Sequence, residues 1–186
     1  MQGLLAGKEL DRFLQALRYA ADMHTGQFKK GCSALPYINH PIKVAALLAS
    51  GAAGPDMTLL IAAVLHDVLE KTAADPGYIR KEFGRAVLDI VREVTDDKGL
   101  PEPQRKQKQV EIARSLSPAA KKIRLADKIC NMLDIMTYPL RWSKKRKLAY
   151  FEHAAALAAE LRGTDGRLDR LFRKEHAAGM RELEGD

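Results

Sequence analysis

His66 and Asp67 place an imidazole and a carboxylate side by side at the end of the chain's most apolar stretch. That combination is a good half-shell for a divalent ion. Two other side chains are candidates to complete it: His40, directly before Pro41, and Asp127, inside the run Ile123-Arg-Leu-Ala-Asp-Lys-Ile. Two histidines and two carboxylates suit manganese, iron or zinc, and a six-coordinate ion keeps positions for water and a phosphate oxygen. Neighbours on a helix diverge by about 100°, so His66 and Asp67 reach one ion only where the helix end opens into a cleft. A hydrogen-bonded core histidine is the plain reading of a lone His-Asp pair; the four-residue pattern outweighs it. Glu70 shares their helix face and can orient or deprotonate an attacking water, although an exposed helix-end carboxylate is the competing reading.

Helices must carry these residues. Leu10, Phe13, Leu14, Leu17 and Ala21 recur at three- and four-residue steps, which predicts a first helix running to about His24. Residues 26–41 are rich in Gly, Lys, Ser and Pro and read as a loop carrying Lys29, Lys30 and Tyr37, ending where Pro41 opens a second helix. Asp56 caps a nearly all-apolar helix that continues to Glu70, a pattern for burial on most sides. Asp75-Pro76 and Ser117-Pro118 are start signals and Gly84 a stop; three or four more helices end near Ala178, before a frayed polar tail. No strand alternation, internal repeat or low-complexity segment is evident. The expectation is an all-α chain, a single helical bundle of about eight to ten helices spanning residues 1–186, with its core at about 9–178.

Its 186 residues suffice for one domain with a substantial core. The two cysteines, Cys32 and Cys130, lack paired spacing, and no signal peptide or roughly 20-residue apolar span occurs, so a soluble protein of the reducing cytoplasm is expected. A formal charge of +7 favours an anionic partner: a nucleotide, RNA or an acidic surface.

Four stretches have a familiar wording: PYINHP at Pro36–Pro41, HDVLEKT at His66–Thr72, VTDDKGLP at Val94–Pro101 and LADKICN at Leu125–Asn131. With Trp142-Ser143 and the segment from Arg146 through Tyr150-Phe151-Glu152, they make the chain resemble the hydrolase domain of RelA/SpoT enzymes. The similarity is greatest to the stand-alone small alarmone hydrolases of the metazoan SpoT-homologue kind, and it covers nearly the whole chain. The resemblance implies a helical HD-domain fold that binds manganese and hydrolyses the 3′-pyrophosphate of guanosine tetra- or pentaphosphate to GDP or GTP. By position, His40, His66, Asp67 and Asp127 match the metal ligands, and Glu70 matches the first acid of the HDxxED motif. Asn131, Arg146 and Tyr150 match nucleotide contacts, with Tyr37 and Lys30 at the pocket mouth. The plain readings are core or capping roles for Tyr150 and Asn131 and a solvated face for Arg146. Lys121, Lys122, Lys128, His153 and His176 read as surface, and His24 as a helix-end structural residue. A purine nucleotide is the implied partner; nucleic acid and membrane are not, and a homo-oligomer is left open. No synthetase region accompanies the hydrolase resemblance, so the chain is expected to degrade a signal without making one.

Three departures stand out. Lys71 occupies the second acid position of HDxxED, where it would repel the metal unless an anion intervenes, or grip the leaving pyrophosphate. Glu102 follows VTDDKGLP where relatives place a lysine, so a Lys71–Glu102 pair would restore the balance of charge. Lys29-Lys30 replaces an Arg-Lys pair, and lysine lacks the planar guanidinium that stacks on a base. These leave open another phosphorylated nucleotide, an adenine alarmone or the 2′-phosphate of NADPH, or a degenerate member that binds a nucleotide or RNA without cutting it.

Overall fold

A computed structural model describes residues 2–51 and 56–185, with side chains from residue 7 onward. Among the described residues there are ten α-helical segments, one 3-10 turn and one small hairpin, so the all-α expectation holds. The chain leaves a first compact unit after Gln27, returns to it at Tyr37, and leaves it for good after Thr95.

The first unit is α1 (Gln2–Met23), α2 (Asn39–Ala49), α3 (Met57–Leu65), α4 (Val68–Lys71), α5 (Pro76–Phe83) and α6 (Arg85–Glu93). Asp56 caps α3 by accepting from the Leu59 N–H, and every residue from Leu59 to Leu65 is buried. Such a helix is stable only when covered, and α1, α2 and α6 all pack on it. The α1 face that packs is not the leucine stripe: Leu10 and Leu14 are 54% and 52% exposed, whereas Ala16, Ala20 and His24, at four-residue steps, are buried. Alanines let two helix axes approach closely, which a leucine face does not.

The second unit is a hairpin of β1 (Phe28–Lys29) and β2 (Cys32–Pro36), then α7 (Glu102–Ile112), α8 (Pro118–Thr137), α9 (Lys144–Glu160) and α10 (Gly166–Gly185). The hairpin was not expected; two residues against five is too little sequence for an alternation to show. Its turn needs Gly31, at φ +93°, where a Cβ would also meet the Trp142 indole. Ser117 caps α8 by accepting from the Ala120 N–H, and α8 packs on α9 and α10. The last helix continues to Gly185 instead of fraying near Ala178, because Leu183 and Gly179 are still buried.

Two further boundaries differ. The second helix starts at Asn39, two residues before Pro41, and the apolar helix does not run unbroken to Glu70. It stops at Leu65, turns through His66 and Asp67, and restarts as α4. No described helix is long and apolar enough to cross a membrane.

Candidate metal centre and nucleotide-binding residues

The break between α3 and α4 solves the geometric difficulty of two adjacent ligands. The His66 N–H reaches the Ala63 carbonyl at 3.5 Å, three residues back, and Asp67 takes φ −102° and ψ −7° as the residue preceding α4. Released from the regular helix, both side chains turn the same way: His66 Nε2 lies 3.1 Å from Asp67 Oδ2. His40, from the first turn of α2, brings its Nε2 to 3.9 Å from the same oxygen. The three are buried, and each offers one ligand atom within 4.8 Å of the others.

The donor chemistry fits a divalent ion. His66 Nδ1 lies 2.7 Å from the Ala63 carbonyl. A carbonyl only accepts, so Nδ1 carries a proton, and Nε2 is the nitrogen that faces Asp67 and that would ligate an ion in the neutral ring. Tyr37 donates its hydroxyl to Asp67 Oδ2, and the Lys71 ammonium sits 2.8 Å from Oδ1. Burial pushes the Asp67 carboxyl up, but the positive charges of protonated His66 and of Lys71, then the hydrogen bond with His66 and the charge of His40, outweigh it and hold the group well below the usual carboxylate range. It is therefore an anion at neutral pH. Glu70 is 3.2 Å from Lys71, whose ammonium also lies 5.6 Å above the Tyr37 ring. Tyr37, which the sequence placed at the pocket mouth, is thus bonded to Asp67, and the His24 ring lies tilted by 46° with its centroid 4.9 Å away.

Asp127, the fourth expected ligand, belongs to the second unit, midway along α8. Its Oδ1 accepts from Asn131 Nδ2 at 2.6 Å, and Lys128 Nζ stands 3.2 Å from Oδ2. Lys128 is not surface charge: it is 6% exposed, with its ammonium 5.8 Å from the Tyr150 ring. Burial pushes the Tyr150 phenol well above its ordinary range, helped by the Asp127 carboxylate, so the hydroxyl stays neutral. Arg146 lies 4.1 Å over the Trp142 ring, and Trp142 Nε1 donates to the Lys30 carbonyl at 3.1 Å. Lysine 29 ion-pairs with Asp134 and donates to Asn131. Glu102 pairs with Lys106 at 2.9 Å, and that bond and charge, with Lys30 and Arg146 nearby, lower its carboxyl. Lys71 and Glu102 accordingly each have an ion-pair partner within their own unit. Lys128 and Trp142 are the additions that residue types did not single out. A buried lysine next to an aspartate carries no periodic signal, and Trp142 entered only through the resemblance.

A buried His-His-Asp cluster on helices is the centre of the HD domain, and the chain belongs to that family: residues 16–150 match the HD-domain profile. Among characterised relatives, it is 41% identical over 169 residues to the guanosine-3′,5′-bis(diphosphate) 3′-pyrophosphohydrolase MESH1 of Mus musculus, covering 90% of this chain and 94% of that one. The Homo sapiens MESH1 is 43% identical over 164 residues, covering 88% and 92%. The fold is similar to a solved structure described as a metazoan ortholog of SpoT that hydrolyzes ppGpp and plays a role in starvation responses, with TM-score 0.85, 39% identity and coverage of 90% and 94%.

Proposed function

We propose that this protein is a hydrolase that removes the 3′-pyrophosphate of guanosine tetra- and pentaphosphate, leaving GDP or GTP. The observation that carries the reading is the buried His40-His66-Asp67 cluster, whose donor atoms converge in a chain more than 40% identical to such hydrolases. We read the whole chain as one HD-type functional unit of the reducing cytoplasm, acting on a small purine nucleotide. His40, His66, Asp67 and Asp127 would hold the ion, for which manganese is our assignment. A bound divalent ion supplies Lewis acidity toward the phosphoryl group and lowers the pKa of water. No side-chain nucleophile is required.

The surrounding residues have distinct tasks. Tyr37 and Lys71 fix the Asp67 carboxylate from both of its oxygens. Glu70 takes the proton of the attacking water, with Lys71 holding its carboxylate in place. Lys30 and Arg146 meet phosphate, Trp142 holds both near one indole, and neutral Tyr150 with Asn131 reads the sugar and base.

The test is guanosine tetraphosphate hydrolysis by purified protein supplied with manganese, scored by chromatography of GDP. Turnover is expected, its loss on chelation, and its recovery on adding the ion back. Absence of product with every divalent ion would overturn the proposal. Lys71 in the second acid position favours one second reading, a different phosphorylated nucleotide at the same centre. Release of phosphate from NADPH or an adenine alarmone, faster than from the guanosine compound, would select it.

A further inference from the structure

We infer that Lys29 is a positioning residue for Asp127, acting through the amide of Asn131. The inference rests on the reading of Asp127 as a metal ligand and adds what orients it.

Asp127, Asn131 and Asp134 occupy positions i, i+4 and i+7 of α8, one face of a helix. Asp134 is 2% exposed, and a carboxylate that deep needs a cation. Lys29, at the end of β1, supplies it at 2.8 Å from Oδ2. The same ammonium lies 2.5 Å from Asn131 Oδ1. An ammonium only donates, so the amide end it meets must be the carbonyl oxygen. The amide's NH2 then points the other way and donates to Asp127 Oδ1 at 2.6 Å.

The two ends of an asparagine amide have almost the same shape, so packing alone does not choose between them. Turned over, Asn131 would set its carbonyl against the Asp127 carboxylate, two acceptors in contact. Lys29 removes that alternative. With Oδ1 held by Asn131, the plane of the Asp127 carboxylate is set, which leaves Oδ2, 3.2 Å from Lys128 Nζ, as the oxygen that would ligate an ion. Charge neutralisation of Asp134 alone would not require Lys29 to touch Asn131. The side chain is 10% exposed and engaged twice, which suits a strut better than a contact for a nucleotide base.

The experiment measures manganese affinity of the full chain by calorimetry and by the paramagnetic signal of the free ion, beside thermal melting. Lys29→Met combined with Asp134→Asn removes the lysine without stranding a buried charge; Asn131→Leu cuts the relay but keeps the Lys29–Asp134 pair. Each is expected to weaken manganese binding at least about tenfold, the usual scale for a residue that orients a ligand. All three changes together should weaken it no further than Asn131→Leu alone, because they interrupt one connection. A lysine with a purely structural role would lower the melting temperature and leave affinity alone. Wild-type affinity in the folded variants, or additive losses, overturns the inference. Should the Lys29 pair variant not fold, unchanged affinity in Asn131→Leu overturns it by itself. Asp127→Asn separates the two levels: wild-type affinity there removes Asp127 as a ligand and the relay with it. Loss there beside wild-type affinity in the other variants removes the relay alone.

Discussion

Single side chains tune this centre chiefly through charge. The ammonium of Lys71, 2.8 Å from a proposed ligand oxygen, both repels a divalent ion and competes for the carboxylate. Lys71→Met is expected to tighten manganese binding by about tenfold, since even a heavily screened charge at this range is worth more than 1 kcal/mol. Calorimetry checks it, and weaker binding instead would mean that orienting Asp67 outweighs the repulsion. Away from the cluster, His153 Nε2 lies 3.0 Å from Gln109 Oε1, while the Gln109 amide donates to Asp96, which Arg124 holds at 2.8 Å. Burial, with the charges of Lys128 and Lys106, pushes the His153 imidazole down to about 4 from 6.5. Burial lowers His24 as well. In both cases the unfolded chain takes up a proton before the folded one does. Stability is therefore full above about pH 6.5 and declines as pH falls toward 4. With the His153 ring only half buried, its share is on the order of 1–2 kcal/mol. Urea midpoints at pH 7 and pH 4.5 should differ accordingly, and His153→Gln should remove part of the difference.

Among the elements, two helical glycines should answer the same substitution with opposite signs. A Cβ at Gly179 of α10 would lie 2.6 Å from Phe151 Cζ, in a ring with no exposure to solvent. Overpacking of that kind costs about 1–3 kcal/mol, so Gly179→Ala should lower the melting temperature by several degrees. A Cβ at Gly7 of α1 meets nothing within 4 Å. Gly7→Ala should therefore add about 0.5 kcal/mol through helix propensity. The caps Asp56, Asp75 and Ser117 were legible because a capping side chain acts within three residues. The break at His66-Asp67 was not, since neither glycine nor proline marks it. Nor was the buried face of α1, where alanines at four-residue steps displaced the larger leucine stripe.

Taken whole, the chain carries formal +7 and is proposed to meet a substrate with four or five phosphate groups. Exposed charges steer an anion over a distance set by salt, about 10 Å at 0.1 M. Raising sodium chloride from about 0.05 to about 0.5 M should thus raise KM several-fold while kcat changes little; a fall in kcat alone would locate the effect in the chemistry. Helical class, the capped helix starts at Asp56, Asp75 and Ser117, and the adjacent pair His66-Asp67 were determined by residue types and short spacings, because amphipathic periods and caps are local; His40 was a candidate that the family resemblance singled out. The partners of Lys29 and the burial of Lys128 were decided only by tertiary structure. Lys29 meets Asp134 across 105 positions of chain, and Lys128 is buried with its ammonium 5.8 Å from the Tyr150 ring of α9. A charge is long-ranged and its nearest counter-charge depends on which segments fold together, so no local pattern of lysines announces which will be solvated and which will hold a site in place.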